Sequence, residues 1–288
     1  MSDRRLILVT GATGQQGGSV ARRLLEGGFS VRGITRNVES DAANELTGLG
    51  AEMVRGEFSD AESLRAAMEG VDAVFAMTTP FEAGVDAETA QGVALVDAAV
   101  AAGVDHFVYS SVASADKATG VPHFDSKYRV EEYLAASDLR WSVIAPVYFM
   151  GNLFFPDMLT ALKDGTYAIA LPAELRLQQI AIEDIGAFAA HVLANPEEFA
   201  GKRIDIAGDE LSSRESADVL AGILGKPISV FEVPMDGIRS FSEDFALMYE
   251  WFASTGYTAD INGLRSSYPG VGWTRFSEWA TRLPAALA

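Results

Sequence analysis

The 288-residue sequence predicts an α/β fold, with a doubly wound parallel sheet and a smaller, interleaved C-terminal α/β domain. In the first half, short apolar runs alternate with helical stretches, which is typical of βαβ units. The apolar runs contain few polar residues, as do strands that are covered on both faces. A glycine-rich loop joins the first run to the first helical stretch.

Six strands are predicted in the first half, at residues 5–10, 31–35, 51–55, 73–77, 106–110 and 140–145. The helices between them are expected at residues 17–26, 41–49, 61–69, 87–102 and 126–136. Asp125 is the expected N-cap of the last of these helices. Because short apolar strands alternate with helices, these strands should form one parallel sheet, with right-handed crossovers.

Residues 1–150 are therefore predicted to form the domain that contains the parallel sheet, completed by parts of residues 176–210, and residues 151–288 a smaller C-terminal cap domain. Loops are expected at residues 151–155 and 165–172, on either side of a helix at 157–163. Later helices are expected at residues 183–193, 213–225 and 235–252, and strand-like segments at 203–207 and 228–233.

The composition excludes several classes of function. With 22 basic and 40 acidic residues, the formal net charge is −18, which disfavours direct nucleic-acid binding and anionic membranes. The absence of cysteine excludes disulfides, thiolate catalysis and cysteine-based zinc sites, and three histidines make a metal site unexpected. No apolar stretch approaches the ~18 residues of a membrane helix, and we expect a cytoplasmic protein.

The glycine-rich loop, TGATGQQGG at residues 10–18, predicts a dinucleotide-binding site of the Rossmann type. Gly11 allows the tight turn, Gly14 lets the backbone approach a pyrophosphate, and Gly17 permits close packing of the helix on the strand. The free N–H groups at the start of the helix would hold the anion.

The end of the second strand indicates which dinucleotide is bound. An NAD site usually carries Asp or Glu there, but this chain has no acid before Glu39. Arg36 can instead bind a 2′-phosphate, although Arg32 competes for that role. The sequence therefore favours NADP(H) over NAD(H).

Several motifs together resemble the NmrA-like family of atypical short-chain dehydrogenases/reductases. They are GATGQQGG, ITRN, GEFSDAESL, HFVYSSV, HFDSKYRVEEYL and APVYFMGNL, and the resemblance extends over nearly the whole chain. It implies a Rossmann domain and a small C-terminal domain, with an NADP(H) site between them.

The resemblance also implies which residues contact the cofactor. Gly11, Thr13, Gln15, Gln16 and Gly17 would lie along it, with Arg36 on the 2′-phosphate and Gly56, Glu57 and Phe58 at the adenine. The family usually has Asp in place of Glu57. Thr78, Thr79 and Pro80 would lie beside the ribose, Lys127 would reach the nicotinamide ribose, and Pro146, Val147, Tyr148 and Phe149 would cover the nicotinamide.

The catalytic group departs from the usual Tyr-x-x-x-Lys pattern, because His123 stands four residues before Lys127. An imidazole can donate a proton near neutral pH, so His123 is a candidate general acid. Ser110 could orient a substrate oxygen, with Ser111 as the alternative. Tyr148 and Tyr128 are the other candidate proton donors. The remaining histidines, His106 and His191, are expected to have structural roles.

These features predict an NADPH-dependent oxidoreductase that transfers hydride to a small hydrophobic acceptor such as a quinone, enone, carbonyl or imine. The acceptor pocket could be lined by the apolar residues Tyr148, Phe149, Met150, Leu153, Phe154, Phe155 and Met158, which could equally be ordinary packing residues. The alternative is a non-catalytic NADP(H) sensor that regulates a protein partner. A homodimer is also possible.

Overall fold

A computed structural model describes residues 5–287, except for the side chains of Ala285 and Leu287. Its strands are β1 Leu6–Val9, β2 Ser30–Thr35, β3 Glu52–Arg55, β4 Ala73–Met77, β5 His106–Ser110, β6 Trp141–Pro146, β7 Tyr148–Phe149, β8 Thr166–Ile169, β9 Arg176–Ile180, β10 Lys202–Ile206, β11 Asp209–Ser212 and β12 Ser229–Glu232.

The helices alternate with these strands through the first half of the chain and then become more frequent. They are α1 Gln15–Glu26, α2 Asp41–Gly48, α3 Ala61–Ala67, α4 Val85–Ala102, α5 Pro122–Ala135, α6 Pro156–Lys163, α7 Ile182–Ala194, α8 Pro196–Phe199, α9 Ser213–Leu224, α10 Met235–Phe241, α11 Glu243–Ser254, α12 Ile261–Ser267, α13 Phe276–Trp279 and α14 Leu283–Leu287.

The central sheet has seven strands in the order β10-β6-β5-β4-β1-β2-β3. Strand β1 pairs in parallel with β2 on one side and with β4 on the other. The order therefore reverses direction at β1, as in doubly wound nucleotide-binding sheets, where ligands bind beyond the carboxyl ends of the strands at this point. The predicted fold class is confirmed.

The apolar runs of the sequence become the buried centre of this sheet. One cluster joins strand residues such as Leu8, Val74 and Phe107 to helix residues such as Val96 and Leu134, all of them buried. Burying one such side chain completely contributes roughly 1.5–3 kcal/mol. The strands are thus held in a rigid layer, and the loops at their carboxyl ends are placed by it.

The chain divides into two compact units that alternate along the sequence. The first consists of residues up to 118, 122–145 and 185–204, and the second of residues 119–121, 146–184 and 205 onward. In the second unit, β9 pairs with β7 in parallel and with β11 in antiparallel fashion. Strand β8 pairs in parallel with β12.

Three local predictions are wrong. Residues 165–172 are not all loop, because β8 forms there, with Tyr167 and Ile169 buried on one face. The helix expected at 235–252 is two helices, since Ser242 has an extended backbone and caps α11 by accepting a bond from the Phe245 N–H. Asp125 is not an N-cap, because α5 begins at Pro122 and places Asp125 in its first turn.

Candidate functional site

A cavity of about 350 Å³ lies at the carboxyl ends of the adjacent strands β4, β1, β2 and β3. Four segments of the first unit line it: the glycine loop, the end of β2, the segment after β3, and the residues that follow β4. Since the sheet order reverses between β1 and β4, the cavity is at the place where doubly wound folds bind their ligands.

The glycine loop is shaped by two of its glycines. Gly11 has φ +60°, a left-handed conformation that side chains disfavour. At Gly17, an added Cβ would lie 2.3 Å from the Gly11 carbonyl oxygen and 2.4 Å from that of Thr10. A side chain at position 17 would therefore push α1 away from the loop, and only glycine allows the observed approach.

Helix α1 begins at the cavity without a side-chain cap. Its N-cap is Gly14, which has no side chain to accept a bond from the first turn, and that turn contains no acidic residue. The helix dipole and the N–H groups of the first turn therefore favour an anion at this end. Together with the close approach at Gly17, this arrangement fits the pyrophosphate of a dinucleotide.

Arg36 follows β2 and lines the same cavity, but its guanidinium is paired with Glu82. Its Nη1 donates to Glu82 Oε2 at 2.8 Å, and its Nη2 donates to Glu82 Oε1 at 3.1 Å. Both side chains are well exposed, at 67% and 59%. Arg36 is thus placed to bind an anion in the cavity, and a carboxylate is already bound to it.

Arg32, the competing cation, is held away from this role. Its Nε donates to Glu52 at 2.8 Å, and its Nη1 donates to the carbonyls of Ala67 and Glu69 at 2.9 and 2.7 Å. Its side chain is only 15% exposed. Arg32 therefore joins β2 to β3 and to the end of α3, which leaves Arg36 as the candidate for a 2′-phosphate.

Lys127 of α5 is largely buried, in an ion pair with Glu88 of α4. Its Nζ donates to Glu88 Oε1 at 2.7 Å and to the Thr78 carbonyl at 3.0 Å. The Lys127 side chain is 12% exposed and Glu88 is fully buried. Ser126 Oγ donates to Glu88 Oε2 at 2.5 Å, so both carboxylate oxygens are bound. The ammonium group is fixed just beyond the end of β4.

The two candidate serines at the end of β5, Ser110 within the strand and Ser111 just after it, differ in their partners. Ser110 Oγ donates to Oε1 of Gln16, in the first turn of α1, at 2.5 Å. Ser111 Oγ donates to the buried Glu131 carboxylate, which also accepts from Arg203 Nε at 2.8 Å. Burial raises the pKa of Glu131, and Arg203 partly offsets this effect. Ser110 therefore contacts the candidate cofactor loop, whereas Ser111 belongs to a structural network.

His123 lies in the first turn of α5 and is 7% exposed. Its ring is packed between two phenylalanines, with centroids 6.0 Å from Phe81 and 4.8 Å from Phe124. Phe81 is itself 67% exposed, in the loop after β4. His123 is thus shielded by the loop that also contains Glu82.

Tyr148 belongs to the second unit, where it forms β7 with Phe149. Burial raises the pKa of its phenol, and hydrogen bonds with Asn152 and Tyr249 partly offset this effect. Its ring also meets Phe252 edge to face at 6.3 Å. The phenol therefore stays protonated at neutral pH and is part of an aromatic cluster in this unit.

His106 is fully buried at the start of β5, in agreement with its predicted structural role. Its Nε2 lies 2.8 Å from Ser142 Oγ, which gives its own proton to the Phe199 carbonyl at 2.7 Å. The ring must therefore donate from Nε2, and its buried Nδ1 has no hydrogen-bond partner among the residues that the structure describes. Burial, followed by the charges of Arg5 and Arg140, lowers the pKa of His106 to about 4.

The cavity brings together eleven of the residues predicted to contact a cofactor. They are Gly11, Thr13, Gly14, Gln15, Gln16, Gly17, Arg36, Gly56, Glu57, Phe58 and Thr79. Thr78, Pro80 and Lys127 are not in its lining. Thr78 and Pro80 are buried on either side of Thr79, and Lys127 donates to the Thr78 carbonyl. Pro146, at the end of β6, Tyr148 and Phe149 lie in the second unit.

Six further residues of the lining were not predicted from the sequence: Ile34, Thr35, Ser59, Met77, Glu82 and Gln91. Four of them lie within two residues of predicted contacts and could have been found from the strand ends. Glu82 and Gln91 lie beyond β4, in a segment without a recognisable motif. Only the fold brings them to Arg36 and the glycine loop.

Among the residues that the structure describes, no helix is long and apolar enough to cross a bilayer. Nor does this part of the chain contain a group of three or more histidine or acidic side chains that could hold a metal ion.

Comparison with known proteins gives a family match over almost the whole chain. A model of the NmrA-like family matches residues 3–280. An NmrA-like family domain-containing protein of Dictyostelium discoideum is 28% identical over 96% of this chain and 97% of its own length. An NmrA-like family domain-containing oxidoreductase of Aspergillus campestris is 33% identical, over 79% of this chain and 75% of its own.

A third relative has a named substrate. It is the (4-alkanoyl-5-oxo-2,5-dihydrofuran-3-yl)methyl phosphate reductase of Streptomyces griseus, 30% identical over 82% of this chain and 79% of its own length.

Solved structures share the fold at low identity. The negative transcriptional regulator NmrA in complex with NADP has a TM-score of 0.83 at 22% identity, covering 99% of this chain and 97% of its own. Its complex with NAD has a TM-score of 0.82 at 21% identity, with the same coverage of 99% and 97%. An NADPH-dependent quinone oxidoreductase from Escherichia coli has a TM-score of 0.79 at 24% identity, covering 96% and 99%.

Proposed function

The chain belongs to the NmrA-like family, and from this premise we propose that it is an NAD(P)H-dependent oxidoreductase, an atypical short-chain reductase acting on a small hydrophobic acceptor. One arrangement carries the proposal. Helix α1 begins without a side-chain cap and packs closely on the glycine loop at Gly17, and Arg36 lines the same cavity. The oxidoreductase relative from Aspergillus campestris supports it.

In this proposal the cavity binds the adenine half of the dinucleotide. The first turn of α1 holds the pyrophosphate, and Gly56, Glu57 and Phe58 border the adenine. Lys127 binds the hydroxyls of the second ribose, with Thr78, Thr79 and Pro80 beside it. The bound nicotinamide supplies a hydride, and the protein supplies orientation and electrostatics.

In the proposed reaction, Lys127 and three neighbouring or reserve side chains each have a separate role. Because Glu88 and the Thr78 carbonyl bind its Nζ, the Lys127 ammonium group is held in one place, where it would orient the ribose. His123, one turn earlier in α5, is the proposed general acid, and Ser110 orients the acceptor oxygen. Tyr148 is the reserve donor, because its phenol stays protonated.

The acceptor is proposed to be a quinone, enone, carbonyl or imine. The second unit, which we propose as the substrate-recognising part, carries the aromatic residues Tyr148, Phe149 and Phe154. The Streptomyces griseus relative is named for the reduction of a phosphorylated unsaturated lactone, and the Escherichia coli structure is a quinone oxidoreductase. An α,β-unsaturated carbonyl is the feature that these acceptors share with the quinones and enones of our proposal.

The test is NADPH oxidation with a panel of quinones, enones, imines and a phosphorylated butenolide. We expect turnover with at least one class, and a loss of about 10²-fold or more in kcat for His123→Ala with the nucleotide Kd unchanged, the magnitude expected of a general acid. The matched control is His191→Ala, in α7 and outside the cavity lining. NADPH binding without oxidation by any acceptor would reject the reductase.

One observation favours a second candidate, an NADP(H)-binding regulator of a protein partner. The usual catalytic tyrosine is replaced by His123, whose ring is packed against Phe81 and Phe124, and the regulator NmrA shares the fold. A pull-down in NADP⁺ and in NADPH would test this candidate. Partners that differ between the two states would support it, and identical partners would reject it.

A further inference from the structure

The carboxylate of Glu82 is hydrogen-bonded to the Arg36 guanidinium, the group that a 2′-phosphate would also bind. Glu82 lies in the loop after β4, and both of its oxygens are bound by Arg36, at 2.8 and 3.1 Å. Both residues line the cavity that contains the glycine loop. Two parallel N–H···O bonds of this kind use the geometry with which arginine also binds phosphate, so the two anions compete for one fork.

Glu82 also supplies the acidic side chain that the end of β2 lacks. Dinucleotide sites that select NAD(H) place an acid there, which accepts a bond from the ribose 2′-hydroxyl. In this chain the residues at the end of β2 are Thr35 and Arg36, and the carboxylate reaches the same place from another loop.

We infer that Arg36 and Glu82 together recognise the group at the 2′-position of the adenosine ribose, so that the chain binds both NADP(H) and NAD(H). With NADP(H), the phosphate replaces Glu82 on Arg36. With NAD(H), the Arg36–Glu82 pair stays closed and Glu82 accepts the 2′-hydroxyl. This inference rests on the proposed nucleotide site and makes Glu82 the residue that limits the preference for NADP(H).

The exposure of the pair is what allows the exchange. The Arg36 and Glu82 side chains are 67% and 59% exposed, so solvent screens their attraction and the pair contributes little to stability. A phosphate carries more charge and three acceptor oxygens, and it should therefore displace the carboxylate. A buried pair such as Lys127–Glu88 could not open in this way.

The experiment measures the Kd of NADP⁺, NAD⁺, adenosine 2′,5′-bisphosphate and AMP by calorimetry for Glu82→Gln. We expect the two 2′-phosphorylated ligands to bind on the order of tenfold tighter, because the competing and repelling carboxylate is removed. NAD⁺ should bind about threefold or more weaker, since the acceptor for its 2′-hydroxyl is weakened. The matched control is Glu39→Gln, which removes the same charge from the loop after β2 but lies outside the cavity lining.

Glu57 is the competing carboxylate, since it follows β3 and lines the same cavity. The inference is overturned if the NADP⁺/NAD⁺ affinity ratio moves less than about twofold in Glu82→Gln, if Glu39→Gln moves it equally, or if Glu57→Gln alone lowers NAD⁺ affinity. Fragment binding needs no turnover. An inactive protein that shows the Glu82→Gln effect would reject the reductase and retain this inference, and failure of all four ligands to bind would reject both.

Discussion

At the scale of single residues, the ion pair of Lys127 and Glu88 is unusual in its burial. Glu88 is completely buried, and its carboxylate accepts from Lys127, Ser126 and Thr78. Thr78 in turn lies 3.0 Å from the Tyr109 hydroxyl. A charged carboxylate is tolerated there because its oxygens are all bound, and removal of one charge leaves the other buried without compensation.

Glu88→Gln should therefore destabilise the protein by about 3–5 kcal/mol and lower the affinity for the dinucleotide, because Lys127 loses its anchor. The measurement is urea denaturation together with nucleotide binding by calorimetry. The control is Glu26→Gln, which breaks an exposed pair with Arg23 and should cost less than about 0.5 kcal/mol. Equal effects of the two variants would contradict the assigned role.

His106 makes stability depend on pH in a defined direction. Its pKa falls from 6.5 in the unfolded chain to about 4 in the folded protein. The unfolded state therefore binds more protons between these values, and stability falls as the pH falls. The contribution of His106 to the free energy of unfolding is complete above pH 6.5 and is lost progressively as the pH falls toward 4.

The expected loss of unfolding free energy from this group is about 2 kcal/mol between pH 7.5 and pH 5. A His106→Gln variant should lose that part of the pH dependence, although it has a lower stability at pH 7.5. Chemical denaturation at both pH values measures the difference. The assignment fails if the wild type and the variant lose the same free energy over this interval.

The candidate site could be predicted where its chemistry is local in sequence. The glycine loop and Arg36 were found because each stands at the end of an apolar strand. Glu82 and Glu88 were not, because their partners Arg36 and Lys127 come from other elements. A carboxylate in a loop or a helix has no local pattern that tells which distant cation it will meet.

At the scale of elements, the contact between α1 and the glycine loop depends on Gly17. A Gly17→Ala change should cost about 2 kcal/mol or more and abolish nucleotide binding, because the new Cβ would overlap backbone carbonyl oxygens. Gly222→Ala in α9 is the matched control, since a Cβ there meets nothing within 4 Å. That variant should be up to about 1 kcal/mol more stable. Thermal melts and calorimetry test both, and equal melting temperatures would contradict this account.

The elements of the first half were predictable because parallel strands covered on both faces are continuous apolar runs. Strand β9 was missed because it carries Gln178 and Gln179, both buried. The Gln178 amide exchanges hydrogen bonds with the backbone of Ala259, at 3.0 and 2.9 Å. Burial of a polar side chain is acceptable only with such a partner, and a partner 81 residues away is not visible in the local sequence.

At the scale of the whole molecule, the net charge of −18 opposes the approach of an anionic dinucleotide. Salt should therefore speed association, in contrast to a basic phosphate site. We expect the association rate constant of NADPH to rise about twofold to fivefold between about 20 and about 200 mM NaCl. Stopped-flow fluorescence measures it, with Arg36→Gln as a variant in which the rise should be steeper. A rate that falls with salt would show that local cations dominate.

The return of residues 185–204 to the first unit has a consequence for synthesis on the ribosome. Strand β6 borders β5 on one side and β10 on the other, and β10 begins only at Lys202. At about 5–20 residues per second, several seconds pass between the emergence of Pro146 and that of Lys202. During that time the nascent chain carries an unpaired, apolar sheet edge, the kind of surface that pairs with other chains. The growing polypeptide thus has an interval in which chaperones would protect it.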